Sequence, residues 1–308
     1  MINILITGGA GFIPSSLADV LSKNESYNIV LVDNFLTGNK RKITKGKNVK
    51  FIKCDVNNNK DITPIMTSYR FDFVFHFAAV VGVKRTLANP VMVLDDIQGI
   101  KNILDLSKNT GVKRIFYSSS SEVYGEPVEL PQNEHTTPLN SRLPYAIVKN
   151  VGEAFCKSYS VEFDLDYTIF RFFNTYGPKQ STDFVISKFL RAALTNHDIT
   201  IYGDGSQTRT FCYVDDNIDA CIKIFEKNLF VNDVINVGND VLFTVKELAE
   251  LIINLTNSKS KIVFLPPLSE GDMSRRQPDI SKMKTVLNRD LLTLEEGLKK
   301  LIKSGVFG

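Results

Sequence analysis

Tyr145 and Lys149 stand four residues apart in Tyr145-Ala146-Ile147-Val148-Lys149, a spacing that sets a phenol and an ammonium on one face of a helix. A phenol acts as a base near neutrality only if its pKa falls well below about 10, and a neighbouring ammonium favours the phenolate. Ser120 closes the run Tyr117-Ser118-Ser119-Ser120, where its hydroxyl could hold an alcohol and turn it toward Tyr145. Far upstream, Gly8-Gly9-Ala10-Gly11-Phe12-Ile13 is a glycine-rich turn whose backbone N–H groups and helix N-terminus suit a dinucleotide pyrophosphate. The two elements together predict hydride chemistry on an alcohol.

A carboxylate about 20 residues beyond such a turn can accept both hydroxyls of a ribose, and Asp33 closes the next apolar run, Val30-Leu31-Val32-Asp33. Its charge repels a 2′-phosphate and Asn34 adds no cation, so NAD is favoured over NADP, with the distant Arg41 as a possible exception. Pro14 stands where the pattern usually has its third glycine. Its fixed φ is tolerated in a first helical turn, so binding should survive, with the N–H groups of Phe12 and Ile13 facing the phosphates. Asp55 and Val56 could meet the adenine, and Ala78-Ala79 offers a small-residue surface for the cofactor to pass. His76, alone in an apolar run, reads as a hydrogen-bonded core residue.

The elements that must position these groups are legible as a rhythm. Apolar runs at Ile2–Ile6, Ile29–Val32, Val49–Ile52, Phe71–Phe77, Arg114–Tyr117 and Tyr167–Phe172 alternate with helical patterns, as strands covered on both faces do. That predicts an α/β fold, a doubly wound parallel sheet of the Rossmann kind over residues 1–174. The regularity fades after Asn174. Helices are predicted at Phe184–Asn196, Val214–Lys227, Val245–Asn254 and Leu294–Lys303, with strands at Ile199–Tyr202, Val234–Val237 and Lys261–Leu265. These make a smaller α/β lobe over 175–308, with the chain re-entering the first domain near 211–240.

Composition bounds the function. The 308 residues exceed the usual single-domain size, and 43% hydrophobic with 23% charged residues describes a folded body without a disorder signature. The 37 basic and 34 acidic residues leave a net charge of +3, too balanced and dispersed to predict a nucleic-acid partner. Cys54, Cys156, Cys212 and Cys221 have neither C-x-x-C spacing nor a histidine tract beside them, so no metal and no disulfide framework is expected. The N-terminal residues enter a strand directly, and no apolar run approaches ~18 residues, so no membrane segment and a cytoplasmic location are expected.

Read together, Gly8-Gly9-Ala10-Gly11-Phe12-Ile13, Asp33-Asn34, Ser120 with Tyr145-x-x-x-Lys149, Arg171-Phe172-Phe173-Asn174-Thr175-Tyr176-Gly177-Pro178 and Tyr202-Gly203-Asp204-Gly205-Ser206-Gln207-Thr208-Arg209 resemble the extended short-chain dehydrogenase/reductases of the nucleotide-sugar epimerase/dehydratase family. The resemblance covers essentially the whole chain. It implies NAD as cofactor, with Ser118 and Phe172 completing its site. It implies a nucleoside-diphosphate sugar as substrate, oxidised at C4 by Ser120, Tyr145 and Lys149. Asn174, Arg209 and Arg276 would hold the diphosphate and nucleoside, with Lys188 or Tyr202 near the base. It also implies a homodimer through the helices near 91–109 and 145–161.

The outcome after C4 oxidation is less sharply drawn. In Ser120-Ser121-Glu122-Val123-Tyr124 a serine stands where 4,6-dehydratases carry an acid, and a hydroxyl cannot protonate a leaving group as a carboxylic acid can. Dehydration is disfavoured. The Ser-Ser-Glu pattern and Arg276 resemble UDP-glucuronate decarboxylases, whereas Val81-Gly82-Val83-Lys84-Arg85 resembles the sugar 4-epimerases, with Lys84 facing the sugar. The leading expectation is a 4-ketone or 4-epimer, with Glu122 positioning a sugar hydroxyl or assisting proton transfer. Decarboxylation is the alternative, and a non-catalytic NAD-binding sensor or scaffold is the reading from another class.

Overall fold

A computed structural model describes residues 1–267 and 275–307, with the backbone alone at 83–84. The apolar runs form strands β1 (Ile2–Thr7), β2 (Tyr27–Asp33), β3 (Val49–Lys53), β4 (Phe73–His76), β5 (Arg114–Ser120) and β6 (Asp166–Phe172). Between them lie helices α1 (Phe12–Leu21), α2 (Asn59–Tyr69), α3 (Val83–Ala88), α4 (Pro90–Leu94), α5 (Asp96–Thr110) and α6 (Pro144–Phe163). With the strand Asp233–Val237 they build a seven-stranded sheet in the order Asp233–Val237, β6, β5, β4, β1, β2, β3. The chain thus winds outward from β1 in one direction and from β4 in the other. The predicted doubly wound parallel sheet is what forms, with β1 flanked in parallel by β2 and β4.

Ligands of such sheets gather where the strand order reverses, outside the carboxyl ends of the strands, and here the reversal falls between β1 and β4. Pleat alternation decides what each sheet face buries. On one face Phe75 and Phe116 stack with ring centroids 4.4 Å apart, and Phe225 meets both edge-on at 5.6 and 5.7 Å. The other face packs Val74, Ile115 and Tyr117 into one cluster with residues of α2, α5 and α6, among them Ile62, Ile103 and Val148.

Two compact units divide the chain. The first comprises Met1–Val123, Ser141–Arg171 and Cys221–Ile235, and the second Tyr124–Asn140, Phe172–Ala220 and Asn236–Gly308. In the second unit, Ile199–Tyr202 pairs in parallel with Ile262–Leu265, and Thr208–Thr210 runs antiparallel to Leu242–Thr244. The predicted helices appear as Val185–Leu194, Val214–Glu226, Val245–Thr256 and Leu294–Lys303. Two begin with capping boxes, Thr244 with Glu247 and Thr293 with Glu296, in which each side chain satisfies the other residue's backbone N–H. The helix Ser281–Leu287 and the short strands Thr175–Tyr176, Thr208–Thr210, Cys212–Tyr213 and Leu242–Thr244 were not among the predicted elements.

Candidate active site

The glycine turn lies at the sheet reversal. Gly8 follows β1 with φ +71°, a left-handed conformation that favours glycine, and a Cβ there would come within 3.0 Å of the Ala78 backbone just beyond β4. Gly11 donates its N–H to the Gly8 carbonyl at 2.7 Å and caps α1, whose first residues are Phe12 and Ile13. Their N–H groups have no acceptor within the helix, which leaves them available to an anion. Pro14 comes third in α1, inside the turn where a missing N–H breaks no helical hydrogen bond.

Asp33 ends β2 nearly buried, accepting from the backbone N–H of Ala10 at 3.0 Å and of Phe35 at 2.7 Å. These two donors fix the carboxylate's orientation; burial raises its pKa, and the two hydrogen bonds oppose that rise. Gly38 passes so close that a Cβ on it would fall 2.6 Å from Asp33 Oδ1. Beside it opens a cleft of about 470 Å³ lined by Asn34, Phe35, Gly38, Asn39, Lys40, Arg41 and Lys53. Asn34 donates to the Asp55 carboxylate at 3.1 Å, which brings together two more of the residues predicted for the cofactor site, with Val56 buried next to Asp55. The bare turn, the oriented carboxylate and the cleft fit a dinucleotide.

His76 is the hydrogen-bonded core residue the sequence predicted, its Nδ1 2.9 Å from Thr7 Oγ1. Burial pushes its pKa down to about 3, so it is neutral near pH 7. Among the described residues, no cluster of histidine, cysteine or acidic side chains could hold a metal. All four cysteines are free and buried.

The chemical groups sit on β5 and α6, which pack together. Ser120 is the last residue of β5, and its Oγ accepts the Glu122 N–H at 3.2 Å, which leaves the hydroxyl hydrogen to be donated. Ser121 is buried and Glu122 follows it in a short 3₁₀ turn. Pro144 opens α6 at a position where proline is tolerated, and Tyr145 follows in the first turn. One turn on, Lys149 is buried, donating to the Ser118 carbonyl at 2.6 Å, with its Nζ 5.8 Å from the Tyr145 ring centroid. Burial lowers the Lys149 pKa to about 8, and the Asp96 carboxylate acts against that fall. Asp96, at the start of α5, is itself held by the Val80 N–H at 2.7 Å.

Of the other predicted residues, Phe172 is buried at the end of β6 and Ala79 follows Ala78 beyond β4. In the second unit Lys188 and Tyr202 come together, the Lys188 Nζ 5.5 Å from the Tyr202 ring centroid and 2.9 Å from Thr200 Oγ1. Arg209 lies on Thr208–Thr210 and donates to the Thr208 carbonyl at 2.8 Å, and Arg276 is buried. Asn174 Nδ2 is shielded from solvent and has no hydrogen-bond partner among the described residues. The Lys84 side chain lies outside the described residues. Asp96 and Thr7 were not among the predicted site residues, yet Asp96 acts on Lys149 and Thr7 accepts the Ala78 N–H; Glu153 and Arg171, also unpredicted, bond to each other and Glu153 to Ser119, the neighbour of Ser120.

A glycine turn at a sheet reversal, answered by an acid at the end of the neighbouring strand, defines a dinucleotide-binding enzyme of the Rossmann class. Residues 4–238 match the NAD dependent epimerase/dehydratase family, and the chain belongs to it. NAD is its cofactor. The chain is 36% identical over 311 residues to UDP-glucuronic acid decarboxylase 1 of Danio rerio, covering 97% of this chain and 72% of that protein. It is 34% identical over 304 residues to a putative UDP-glucose 4-epimerase of Methanocaldococcus jannaschii, covering 97% of each. A UDP-glucose 4-epimerase of Thermotoga maritima, solved with UDP-glucose, superposes with a TM-score of 0.92 at 32% identity over 98% of each chain. Among the described residues, no helix is long and apolar enough to cross a membrane.

Proposed function

We propose that this enzyme oxidises C4 of a nucleoside-diphosphate sugar and ends either as the 4-ketone or, after the ketone turns over in the site and is reduced again, as the 4-epimer. Bound NAD supplies the hydride acceptor and, for an epimer, the donor. Tyr145 takes the proton from the C4 hydroxyl, which Ser120 holds by donating its own hydroxyl hydrogen. Lys149 stabilises the phenolate by its charge, and Glu122 orients a neighbouring sugar hydroxyl. The first unit carries the chemistry and all of the proposed cofactor residues except Phe172. The second carries the nucleoside diphosphate, with Asn174, Arg209 and Arg276 on the phosphates and Lys188 or Tyr202 near the base; guanidinium suits a diphosphate because it donates in a fixed fork.

The observation that carries this reading is the buried Lys149 ammonium, 2.6 Å from the Ser118 carbonyl and 5.8 Å from the Tyr145 ring centroid. Burying an ammonium costs several kcal/mol, and one kept beside Tyr145 despite that cost points to a functional charge, for which stabilising a phenolate is the fitting task. The unpaired Asn174 amide supports a ligand in the second unit by the same logic. Decarboxylation is the second reading, favoured by Ser121-Glu122 and by the decarboxylase among the relatives.

The experiment is a panel of UDP-, GDP-, CDP- and dTDP-sugars, uronates included, incubated with the NAD-loaded protein and read by product mass and sugar configuration. A 4-ketone loses two hydrogens, an epimer keeps its mass, a decarboxylated product loses carbon dioxide and a dehydrated one loses water. Absence of any product across the panel would leave the scaffold reading. We further propose a cytoplasmic homodimer. The four free thiols suit a reducing compartment, and Leu87, Val91, Leu94, Ile147, Val161 and Phe163 expose an apolar set along α3, α4 and α6 that a second copy would cover. Light scattering that shows only monomer removes the dimer.

A further inference from the structure

Glu153 lies one turn beyond Lys149 and two beyond Tyr145 on α6, and it points into the protein rather than to solvent. Its Oε1 accepts from Ser119 Oγ at 2.6 Å and from Arg171 Nε at 2.9 Å, and its Oε2 accepts from an Arg171 guanidinium nitrogen at 2.7 Å. Both side chains are sealed, 2% exposed for Arg171 and 1% for Glu153. Ser119 sits between Ser118, whose carbonyl receives Lys149, and Ser120. Arg171 stands on β6, the strand beside β5. One carboxylate therefore ties the catalytic helix to two strands at the end of the sheet where the chemistry is.

A buried ion pair is poor evidence for stability, because well-packed apolar residues of similar volume often serve as well or better. What it adds is geometry. Val148 and Cys156 of α6 pack into an apolar cluster, and apolar contacts resist sliding only through shape. A two-pronged guanidinium–carboxylate contact with a third hydrogen bond fixes direction and distance together. The reaction needs that, since a displacement of about 1 Å between reacting groups can cost about a hundredfold in rate.

We propose that Glu153 is a positioning residue: clamped by Arg171 and Ser119, it sets the register of α6 against β5 so that Tyr145 and Lys149 stand opposite Ser120. Its contacts are to Ser119 and Arg171, so it acts on the reacting groups through the placement of α6. The inference rests on the proposed roles of Ser120, Tyr145 and Lys149, and it assigns their alignment to a contact made inside the first unit.

The test replaces the pair by apolar residues, Glu153→Leu with Arg171→Leu, which removes both charges and leaves neither buried alone. Ser119→Ala serves as a second, milder variant that should fold whether or not the first does. The holoprotein is read for kcat, for KM of the sugar, for NAD affinity by calorimetry and for Tm, and crystal structures of parent and variants are compared. The double variant should lose at least about thirtyfold in kcat while KM, NAD affinity and Tm change little, and Ser119→Ala should lose about fivefold. In the crystals the Tyr145 hydroxyl should move by about 0.5 Å or more from Ser120 Oγ. Unchanged kcat in both variants, or a kcat loss matched by equal losses of NAD affinity and Tm, would overturn the clamp. If the parent turns over no nucleotide sugar, the proposed function fails by itself. The crystallographic comparison then decides the clamp alone, a superposable α6 counting against it.

Discussion

Thr7 Oγ1 lies 2.9 Å from His76 Nδ1 while accepting the backbone N–H groups of Phe77 and Ala78, each at 3.0 Å. With two donors already aimed at the oxygen, the one hydroxyl hydrogen goes to Nδ1, so the imidazole is neutral and carries its proton on Nε2. The contact ties the end of β1 to the first residues past β4, where Gly8 turns against Ala78. A histidine thereby helps to shape the cofactor turn without entering the chemistry.

That neutrality sets an acid limit on stability. The unfolded chain protonates His76 near the ordinary value of about 6.5, whereas the folded chain resists down to about 3. The unfolded state thus binds more protons between these values, and stability contributed above pH 6.5 is lost as pH falls through that window, about 2 kcal/mol of it by pH 5. The Tm should drop between pH 7 and pH 5 in the parent and drop less in His76→Gln, whose amide oxygen can still accept from Thr7. Equal slopes for the two proteins would refute this.

Cofactor choice should turn on one charge. Asp33 lies against Gly38, which lines the cleft together with Lys40, Arg41 and Lys53. Asp33→Asn keeps an acceptor for the Ala10 or Phe35 N–H but removes the repulsion toward a 2′-phosphate and leaves the cations unopposed. NAD binding should weaken by about 1–2 kcal/mol as the ribose loses a charged acceptor, and the NADP to NAD affinity ratio should rise by about tenfold or more. Calorimetric titration with both dinucleotides measures it, and an unaltered ratio would contradict the role given to Asp33.

Much of this site was legible because its signals are local. Strands covered on both faces read as unbroken apolar runs, and the glycine turn, Asp33 and the Tyr145–Lys149 pair each follow a short spacing rule. Partnerships across the sequence are another matter. Glu153 and Arg171 are charged residues in a helix and a strand, and single-sequence reading assigns such residues to solvent until the fold brings them together. Asp96 and Lys149 likewise meet only once α5 and α6 pack. The two- and three-residue strands of the second unit have no periodicity of their own, since pairing alone defines them. Helix Ser281–Leu287 buries just Met283, Val286 and Leu287, too short an apolar stripe to stand out.

Tyr145→Phe should separate binding from chemistry. The ring and its packing stay while the proton acceptor goes, so NAD affinity and Tm should remain near parental values and turnover should fall about 10²–10⁴-fold, the usual scale of a lost general base. Retained turnover would remove the phenol from the mechanism. An equal loss of NAD binding would mean that its role is structural.

Lys149 predicts opposite pH trends for activity and stability. Its folded pKa of about 8 lies below the ordinary lysine value of 10.5, so the cost of burying the ammonium is fully present below pH 8 and is relieved as pH rises toward 10.5. Over that window this group's contribution makes the protein more stable, while the charge that favours the phenolate disappears. The rate should therefore fall on an alkaline limb near pH 8 even as Tm holds or rises. Asp96 opposes the burial effect, so Asp96→Asn, which can still accept from the Val80 N–H, should move both the limb and the Lys149 titration to lower pH. NMR of carbon-13-labelled lysine in the free protein follows the titration directly. A Lys149 signal that titrates near 10.5 in the parent, or one indifferent to Asp96→Asn, would show that neither burial nor Asp96 governs this ammonium.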